Sequence, residues 1–548
     1  MNNQEGNLAG KFATGILSGL YLVWGGLFIY QSSYVALDGK RYFGLVDDAM
    51  ISMRYAWNFA HGLGLVWNAG QRVEGYTNLL MTLVMALASF FLEKKFAVLV
   101  VQVLGLATIV TAAIITKKVA EEINADRPTR GLIGQLAFAS VLLYYPLSYW
   151  TLMGMETGLV TLFIMATTLF ALRWLRTDKN LDLVYAAIMA GLAFLTRNDS
   201  MIFSAIVFAF IVLETHQNKR DKQTLLKIFY AGGLLALFPI AQIIFRYYYY
   251  GELLPNTYVL KIIGIPISVR VSGGYRFLRP FFQQSALVIL AALLGLLLDP
   301  RRIKVFLFSI FAAAILYQIY VGGDPWPLWR MIAPGMPALF ILAIMTGAEF
   351  VTHWHRLESQ KYIAPALIIL IFLVPLAMTD LPFLSDLSVT GPTSAAIANR
   401  VNTNAALAIN QLTSPEASVG VIWAGTLPYY TDLIGVDFLG KSDPTIARLK
   451  PDLSGAVSWA GMRSVPGHNK YDLDYSIVQL QPTYIQAYSW GDQTVKPWVV
   501  NNYVRVEYHG LFGVKTIFLK KDSPYVCWEA CNNQYKIIPW PKQKEVNP

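Results

Sequence analysis

The sequence predicts a polytopic α-helical membrane protein with a C-terminal soluble domain of mixed α/β type. Hydrophobic residues make up 55% of the chain and charged residues only 14%, and the mean hydropathy is +0.45. The apolar residues lie in repeated runs long enough to cross a bilayer, with short basic clusters between them. From about Asp380 onward, mixed and alternating patterns replace the long runs.

The first apolar run, 13–37, follows a polar N-terminus and is too long for a cleaved signal peptide, so we expect a retained first span. The basic clusters should face the cytoplasm, which places the N-terminus inside and the C-terminus outside, with a long outer loop after residue 248. This pattern predicts about eleven spans. They are 13–37, 96–116, 132–150, 159–174, 183–196, 201–213, 228–248, 285–298, 305–321, 332–350 and 363–379.

One apolar stretch of the first outer loop, 76–92, has the composition of a span but does not fit as one. Only a single crossing fits between the outer loop 38–95 and the basic cluster that follows residue 116. We therefore expect 76–92 to form a helix that lies on the outer interface. The predicted domains are a membrane domain, 1–379, and a soluble domain on the outer face, 380–548.

The soluble domain is expected to contain an amphipathic helix at 393–412 and strands at 418–423 and 514–519. The chain has two cysteines, Cys527 and Cys531, whose spacing fits neither a zinc site nor a CxxC motif. Because this domain is expected outside the cytoplasm, we expect a disulfide between them. Two unpaired thiols on one helical face are the alternative.

Two adjacent carboxylates, Asp47 and Asp48, directly follow the first span and precede an amphipathic run, 49–61. Like charges this close raise the pKa of one carboxyl group, which suits proton abstraction at neutral pH. A solvated helix N-terminus is the alternative, because aspartate is common there as a cap of free N–H groups.

A larger set of polar residues is expected at the outer ends of the spans. Each alone is more often an interfacial anchor. Together they describe a cavity in which acids activate an acceptor hydroxyl and cations hold a phosphate, as in transfer of a group from a lipid phosphate to a hydroxyl. The set comprises Asp47, Asp48, Arg54, Glu74, Asn78, Glu156, Arg197, Asp199, Asn256, Lys261, Asp324 and Arg330.

Several other classes of protein are not supported. The chain has neither a Walker A motif nor a GxSxG motif. Its net charge of +10 follows from basic loops on the cytoplasmic side, so no nucleic-acid partner is expected. His468 lies in a polar loop expected outside the membrane and is a candidate substrate contact, with an ordinary surface loop as the alternative.

Three segments of the first outer loop resemble the N-terminal signature of one group of GT-C membrane glycosyltransferases, the terminal arabinofuranosyltransferases of cell-wall arabinan. The resemblance continues through most of the chain. The segments that carry it are 47–55, 61–68, 72–78, 154–157, 195–199, 251–261, 321–324, 424–430 and 466–468.

The resemblance implies a GT-C fold in the plasma (inner) membrane and a polyprenyl-phosphate sugar donor used on the periplasmic face. It implies that Asp47 and Asp48 are catalytic. We assign donor or phosphate binding to Arg54, Arg197, Lys261 and Arg330. We assign substrate binding to Glu74, Tyr76, Asn78, Glu156, Asp199, Asn256, Asp324 and His468.

The predicted function is transfer of a sugar, expected to be arabinofuranose, to a glycan, a lipid or a pilin-type protein. Segment 325–330 is bulkier than the family pattern, and Asn198 stands where proline is commoner, so the acceptor stays open. Another lipid-linked sugar with the same chemistry is one alternative. A transporter or flippase of lipid-linked sugars is another, although such proteins usually show internal repeats and broken helices, which this sequence lacks. A lipid phosphate is a stable leaving group, so no cofactor is required, and a divalent metal stays open.

Overall fold

The computed structural model describes residues 3–218, 221–354, 363–454, 466–510, 513–530 and 535–541. Its membrane part is almost entirely helical. The helices are α1 (Asn3–Gln31), α2 (Asp47–Ala60), α3 (Leu79–Phe91), α4 (Lys94–Ile123), α5 (Arg130–Leu143), α6 (Tyr145–Leu152), α7 (Thr157–Thr177), α8 (Asn180–Thr196), α9 (Met201–Gln217), α10 (Lys222–Tyr250), α11 (Asn256–Lys261), α12 (Ile267–Gln284), α13 (Ala286–Leu298), α14 (Arg302–Val321), α15 (Met336–Trp354) and α16 (Ile363–Asp380), and the first loop holds β1 (Ser33–Val35) and β2 (Arg41–Phe43).

The helices confirm a multi-pass membrane protein. Across the described ranges, seven helices are long and apolar enough to cross a membrane, or up to nine if each of two bent pairs forms one span. The pairs are α5 with α6, bent by 52°, and α12 with α13, bent by 87°. Pro146, near the start of α6, accounts for the first break, because a proline cannot donate the helical hydrogen bond to the carbonyl of the residue four positions earlier and its ring clashes with that carbonyl. Every predicted span overlaps a helix, but the first one, 13–37, was predicted too long, because α1 ends at Gln31 and Ser33–Val35 forms β1. The number eleven stays a prediction.

The loops around these helices differ in part from expectation. Stretch 76–92 forms the separate 13-residue helix α3, which is too short to span a bilayer upright. Its position on the interface stays a prediction. The expected long loop after residue 248 is wrong in part, because α11 and α12 occupy much of it. The sequence pattern did not predict α12 because the helix is not a continuous apolar run. It carries three arginines, Arg270, Arg276 and Arg279.

The C-terminal part is mixed α/β, as predicted. The expected amphipathic helix and both expected strands are present. The helices are α17 (Leu384–Leu387), α18 (Ser394–Leu412), α19 (Thr426–Thr431), α20 (Pro444–Ala447) and α21 (Lys496–Asn502), and the strands are β3 (Ser418–Val421), β4 (Ile434–Asp437), β5 (Tyr484–Ile485), β6 (Ser489–Trp490), β7 (Gln493–Thr494), β8 (Tyr503–Gly510), β9 (Gly513–Lys520) and β10 (Tyr535–Ile538).

Six strands form one mixed sheet in the order β10-β8-β9-β5-β3-β4. Strand β3 pairs in parallel with both β4 and β5, whereas the pairs on the other side of β5 are antiparallel. The carboxyl ends of β3 and β4 therefore lie side by side. Loops at such ends commonly form ligand sites in parallel sheets, and here they lie against α2.

The C-terminal part packs directly onto the membrane part. Buried residues of α18, α19 and β3 belong to the same hydrophobic cluster as the membrane helices. A second, smaller cluster around Phe438, Ile477 and Val499 lies within the C-terminal part.

The boundary at residues 379 and 380 stays a prediction. Cys527 is exposed, and Cys531 lies outside the described residues, so their disulfide also stays a prediction.

Candidate functional site

Asp47 and Asp48 are the first two residues of α2 and face different surroundings. Successive residues of an α-helix point about 100° apart, so one carboxylate meets the loop after β3 and the other meets a group of cations. The solvated-cap alternative does not describe Asp47, whose exposed fraction is only 9%.

The Asp47 carboxylate is held by backbone amides of the C-terminal part. It accepts hydrogen bonds from the Gly425 N–H at 3.1 Å and from the Thr426 N–H at 3.2 Å. Burial raises the pKa of Asp47 to about 6, with a further increase from the negative charge of Asp48, while Lys441 and the two amides oppose the rise. Asp47 is thus deprotonated at neutral pH and still basic enough to take a proton.

The Asp48 carboxylate has a cation on each oxygen. Lys441 Nζ lies 2.9 Å from Oδ1, and Arg330 Nη1 lies 2.8 Å from Oδ2. Arg330 also pairs through Nε with Asp324, at 2.6 Å. Burial works against the ionised form, but Lys441, Arg330 and Lys261 hold the pKa of Asp48 well below its usual value. Two adjacent carboxylates therefore differ in their readiness to bind a proton.

Lys261 completes this cationic group, and His468 lies beside it. Gly467, at φ +91°, lies so close to Lys261 that a Cβ there would approach Lys261 Cε to 3.0 Å. Burial lowers the pKa of Lys261 to about 8, although Asp48 opposes this shift. Burial and the nearby cations lower the pKa of His468 to about 3, so its imidazole is neutral. The His468 Nδ1 atom is buried without a hydrogen-bond partner among the described residues.

Four other predicted site residues form a separate hydrogen-bonded chain. Asn78 donates through Nδ2 to Glu156 at 3.1 Å. Glu156 pairs with Arg197 at 2.6 Å, and Arg197 pairs with Asp199 at 2.5 Å. Both acids thus pair with the Arg197 guanidinium, and the predicted contact of Arg197 with the donor phosphate stays a prediction.

Glu74 and Tyr76 also contact side chains of α10. Arg246 donates to Glu74 through Nη2 at 3.1 Å and through Nε, and its Nη2 lies 3.2 Å from Asn198 Oδ1. The Tyr76 hydroxyl lies 3.2 Å from that of Tyr250. The acids and amides of the first loop therefore fix its position against the membrane helices.

Arg54 and Asn256 tie the membrane part to the C-terminal part. Arg54 is buried and donates to the Trp67 carbonyl at 2.6 Å and the Leu433 carbonyl at 2.7 Å. Because backbone carbonyls occupy the Arg54 guanidinium, we do not include Arg54 among the proposed phosphate contacts, and its predicted phosphate contact stays untested. Asn256 donates to the carbonyl of Lys441 at 3.0 Å and so positions the loop that carries this lysine.

Sequence reasoning missed Lys441 and the two amides that hold Asp47. Gly425 and Thr426 follow β3, and Lys441 follows β4, so all three lie at the carboxyl ends of adjacent parallel strands. Recognition of 434–437 as a strand would have pointed to Lys441, because ligands commonly bind at that edge.

A divalent cation does not fit at the carboxylate pair. Side-chain cations occupy both oxygens of Asp48, and backbone amides occupy those of Asp47. Within the described ranges, no group of three or more His, Cys, Asp or Glu residues can hold a metal ion. We therefore route no catalytic step through a metal.

Comparisons with known proteins agree with this architecture. The family model of dolichyl-phosphate-mannose-protein mannosyltransferases matches residues 76–245, and a model described as a domain of unknown function matches residues 395–529. The terminal beta-(1->2)-arabinofuranosyltransferase of Mycobacterium tuberculosis is 26% identical over 279 residues, which are 49% of this chain and 43% of that protein. The chain thus aligns with less than half of this curated relative.

Solved structures of low sequence identity share the fold. An Archaeoglobus fulgidus oligosaccharyltransferase tethered to an acceptor peptide superposes with a TM-score of 0.54 at 12% identity, covering 96% of this chain and 76% of that chain. ArnT from Cupriavidus metallidurans bound to undecaprenyl phosphate superposes with a TM-score of 0.50 at 12% identity, covering 79% of this chain and 87% of that chain. The predicted GT-C resemblance is confirmed.

Proposed function

We propose, from the GT-C membrane glycosyltransferase fold of this chain, that it transfers a sugar from a polyprenyl-phosphate donor to a hydroxyl acceptor. The observation that carries the proposal is the unequal pair at the start of α2. Asp47 has a pKa of about 6, whereas two side-chain cations keep Asp48 ionised. One carboxylate is suited to accept a proton and its neighbour to organise positive charge.

In the proposed reaction, Asp47 removes the proton of the acceptor hydroxyl. The acceptor oxygen forms a bond to the anomeric carbon while the bond from that carbon to the phosphate oxygen breaks. The polyprenyl phosphate leaves with the electron pair of that bond. Asp47 then releases the proton to solvent, and no oxidant or reductant is needed.

The negative charge that develops on the leaving phosphate needs fixed positive partners. Lys261, Arg330 and Lys441 supply three cations around Asp48, and preorganised charges of this kind stabilise a transition state without reorganisation. Lys261 has a pKa of about 8 and is therefore mostly charged at pH 7. We assign His468, whose buried Nδ1 has no hydrogen-bond partner in the described part of the chain, a hydrogen bond to the donor phosphate or sugar.

Arabinofuranose is the sugar we propose first, and the similarity to the mycobacterial arabinofuranosyltransferase supports it. Mannose, or another hexose, is the second candidate, because the family model that matches residues 76–245 is described by dolichyl-phosphate-mannose transfer. Both sugars would use the same carboxylates and cations, so the donor assay discriminates between them.

The test is transfer by the purified full chain in nanodiscs, with synthetic polyprenyl-phospho-arabinofuranose and polyprenyl-phospho-mannose offered separately to a mixed panel of glycan, lipid and peptide acceptors. Wild type is compared with Asp47→Asn, Asp48→Asn and the control Asp522→Asn, an exposed aspartate of the C-terminal part. We expect labelled product from wild type and the control, and a loss of about 100-fold or more in Asp47→Asn.

The outcomes separate the elements of the proposal. Product from only one donor identifies the sugar. Full activity of both α2 variants would refute the proposed site while leaving the enzyme class in place. In sealed proteoliposomes, transmembrane flux of the lipid-linked sugar without transfer, unchanged in both variants, would instead favour the transporter.

A further inference from the structure

A cavity of about 360 Å³ opens beside Asp47, and the described residues that line it include no lysine or arginine. It lies between α6, the loop after α14, the segment after α16 and the start of α18. Its size is within the range of small-molecule sites. Its lining residues include Asp47, Trp326, Asp386, Ser394, Asn402 and Trp423.

The position of Asp47 defines what an occupant must offer. Asp47 lines this cavity, whereas the cations that we assign to the donor phosphate gather around Asp48. The two carboxylates of α2 thus divide the site into a donor side and an acceptor side. An occupant of the cavity that reacts at Asp47 presents a hydroxyl group to it.

Aromatic rings line the cavity from both parts of the chain. Trp326 comes from the loop after α14 and Trp423 from the loop after β3, and their ring centroids are 5.7 Å apart with planes at 45°. Trp150 lies deeper and is held by a hydrogen bond from its Nε1 to the Leu328 carbonyl at 2.8 Å. An indole presents a negative face, and this face attracts the weakly positive C–H groups on the flat side of a sugar ring.

Polar groups lie around the same space. Asp386 is exposed, and Ser394 is exposed at the first turn of α18. Asn402 lines the cavity while its Oδ1 accepts a hydrogen bond from Gln486 at 3.1 Å, which fixes the amide. Carboxylate, hydroxyl and amide groups match the many hydroxyls of a carbohydrate.

We propose that this cavity is the acceptor site and that it binds a carbohydrate, one sugar ring of which packs against Trp326 and Trp423 while a hydroxyl of that unit points to Asp47. The inference rests on the proposed glycosyltransferase function and selects a glycan among its possible acceptors. The sugar can belong to a soluble glycan or to the head group of a glycolipid.

The test is binding of sugar probes to the full chain in nanodiscs, without any donor, by saturation-transfer difference NMR. The probes are methyl glycosides of arabinofuranosyl, mannosyl and galactosyl disaccharides, the same disaccharides as decyl glycosides, and a serine-containing peptide. Methyl and decyl forms that bind alike indicate a soluble glycan. Binding of the decyl form alone, with a decyl chain lacking the sugar as a silent control, indicates a glycolipid.

Variants Trp326→Ala and Trp423→Ala are each expected to weaken sugar binding by about tenfold, the change that corresponds to loss of one good aromatic contact. The matched control is Trp498→Ala, which removes a half-buried tryptophan of the C-terminal part outside this cavity, and binding should not change. Trp326→Phe and Trp423→Phe, which retain a ring, provide the comparison if an alanine variant does not fold.

Two outcomes overturn the inference. One is binding of the peptide or of the bare decyl chain in preference to every sugar. The other is sugar binding that is unchanged in all four cavity variants. A separate titration with polyprenyl phosphate, compared in wild type and Lys261→Met, tests the donor side. If the chain binds polyprenyl phosphate but no sugar probe, only this acceptor site is refuted. If it binds sugars but transfers none from any lipid-linked donor, only the proposed function is refuted.

Discussion

Replacement of Lys441 by methionine tests whether the cation of the C-terminal part controls the two carboxylates of α2. Lys441 Nζ lies 2.9 Å from Asp48. At an effective dielectric constant of about 20, two unit charges at this distance attract by roughly 6 kcal/mol before desolvation is counted. Because Arg330 remains at 2.8 Å, we expect a net destabilisation of about 3 kcal/mol, at the low end for a broken buried pair.

The same variant should change the titration of Asp47. Lys441 is the strongest influence that lowers the pKa of Asp47, which is about 6 in the intact protein. Even at about 12 Å, one unit charge contributes roughly 1.4 kcal/mol at that dielectric constant, or about one pH unit. The ionised base is lost as the pH falls through this pKa, so the acidic limb of kcat/KM should move to higher pH by about that amount.

The assay is the pH dependence of kcat/KM for transfer by the full chain in nanodiscs, from about pH 5 to pH 9. Lys441→Arg keeps the charge and should keep the limb near pH 6. Lys94→Met removes a lysine from another ion pair, with Asp432 at 2.6 Å, and should leave the limb in place. A loss of activity in Lys441→Met that is equal at every pH would refute the proposed coupling to Asp47.

Three further predictions concern other ionised groups of the first loop and its partners. Lys261 has a pKa of about 8, so the KM for the donor should rise as the pH increases through about 8. Lys261→Met should raise this KM at pH 7 and abolish its dependence on pH near 8. An unchanged pH dependence in the variant would exclude Lys261 as a donor contact. Arg54→Met should lower the free energy of unfolding, measured by thermal denaturation, by about 3 kcal/mol. The KM for the donor should stay unchanged in the folded fraction. A higher donor KM without loss of stability would instead support a phosphate contact for Arg54. Arg246→Met leaves the buried carboxylate of Glu74 unpaired and should lower the free energy of unfolding by about 3–5 kcal/mol. The double variant Arg246→Met, Glu74→Gln should recover most of that stability. A double variant as unstable as the single one would contradict this pairing.

The amino-acid sequence alone determined the class of fold and the location of the two carboxylates that we propose as the reacting pair. Long apolar runs need a bilayer wherever they occur in the chain, and every span predicted from them overlaps a helix. Asp47 and Asp48 are adjacent in the chain, so their proximity needed no tertiary information. The expected helix at 393–412 and the two expected strands are likewise local patterns, and all three are present.

Only the tertiary structure decided the roles within the site. Lys441 lies 393 residues from its partner Asp48, and no periodicity in the sequence relates two such positions. Arg54 and Arg330 look alike as basic residues near the outer boundary. Packing gives the first a set of backbone carbonyls and the second a pair of carboxylates. The pKa of a side chain depends on its burial and its neighbours in space, which the chain acquires only when its C-terminal part packs onto the first loop.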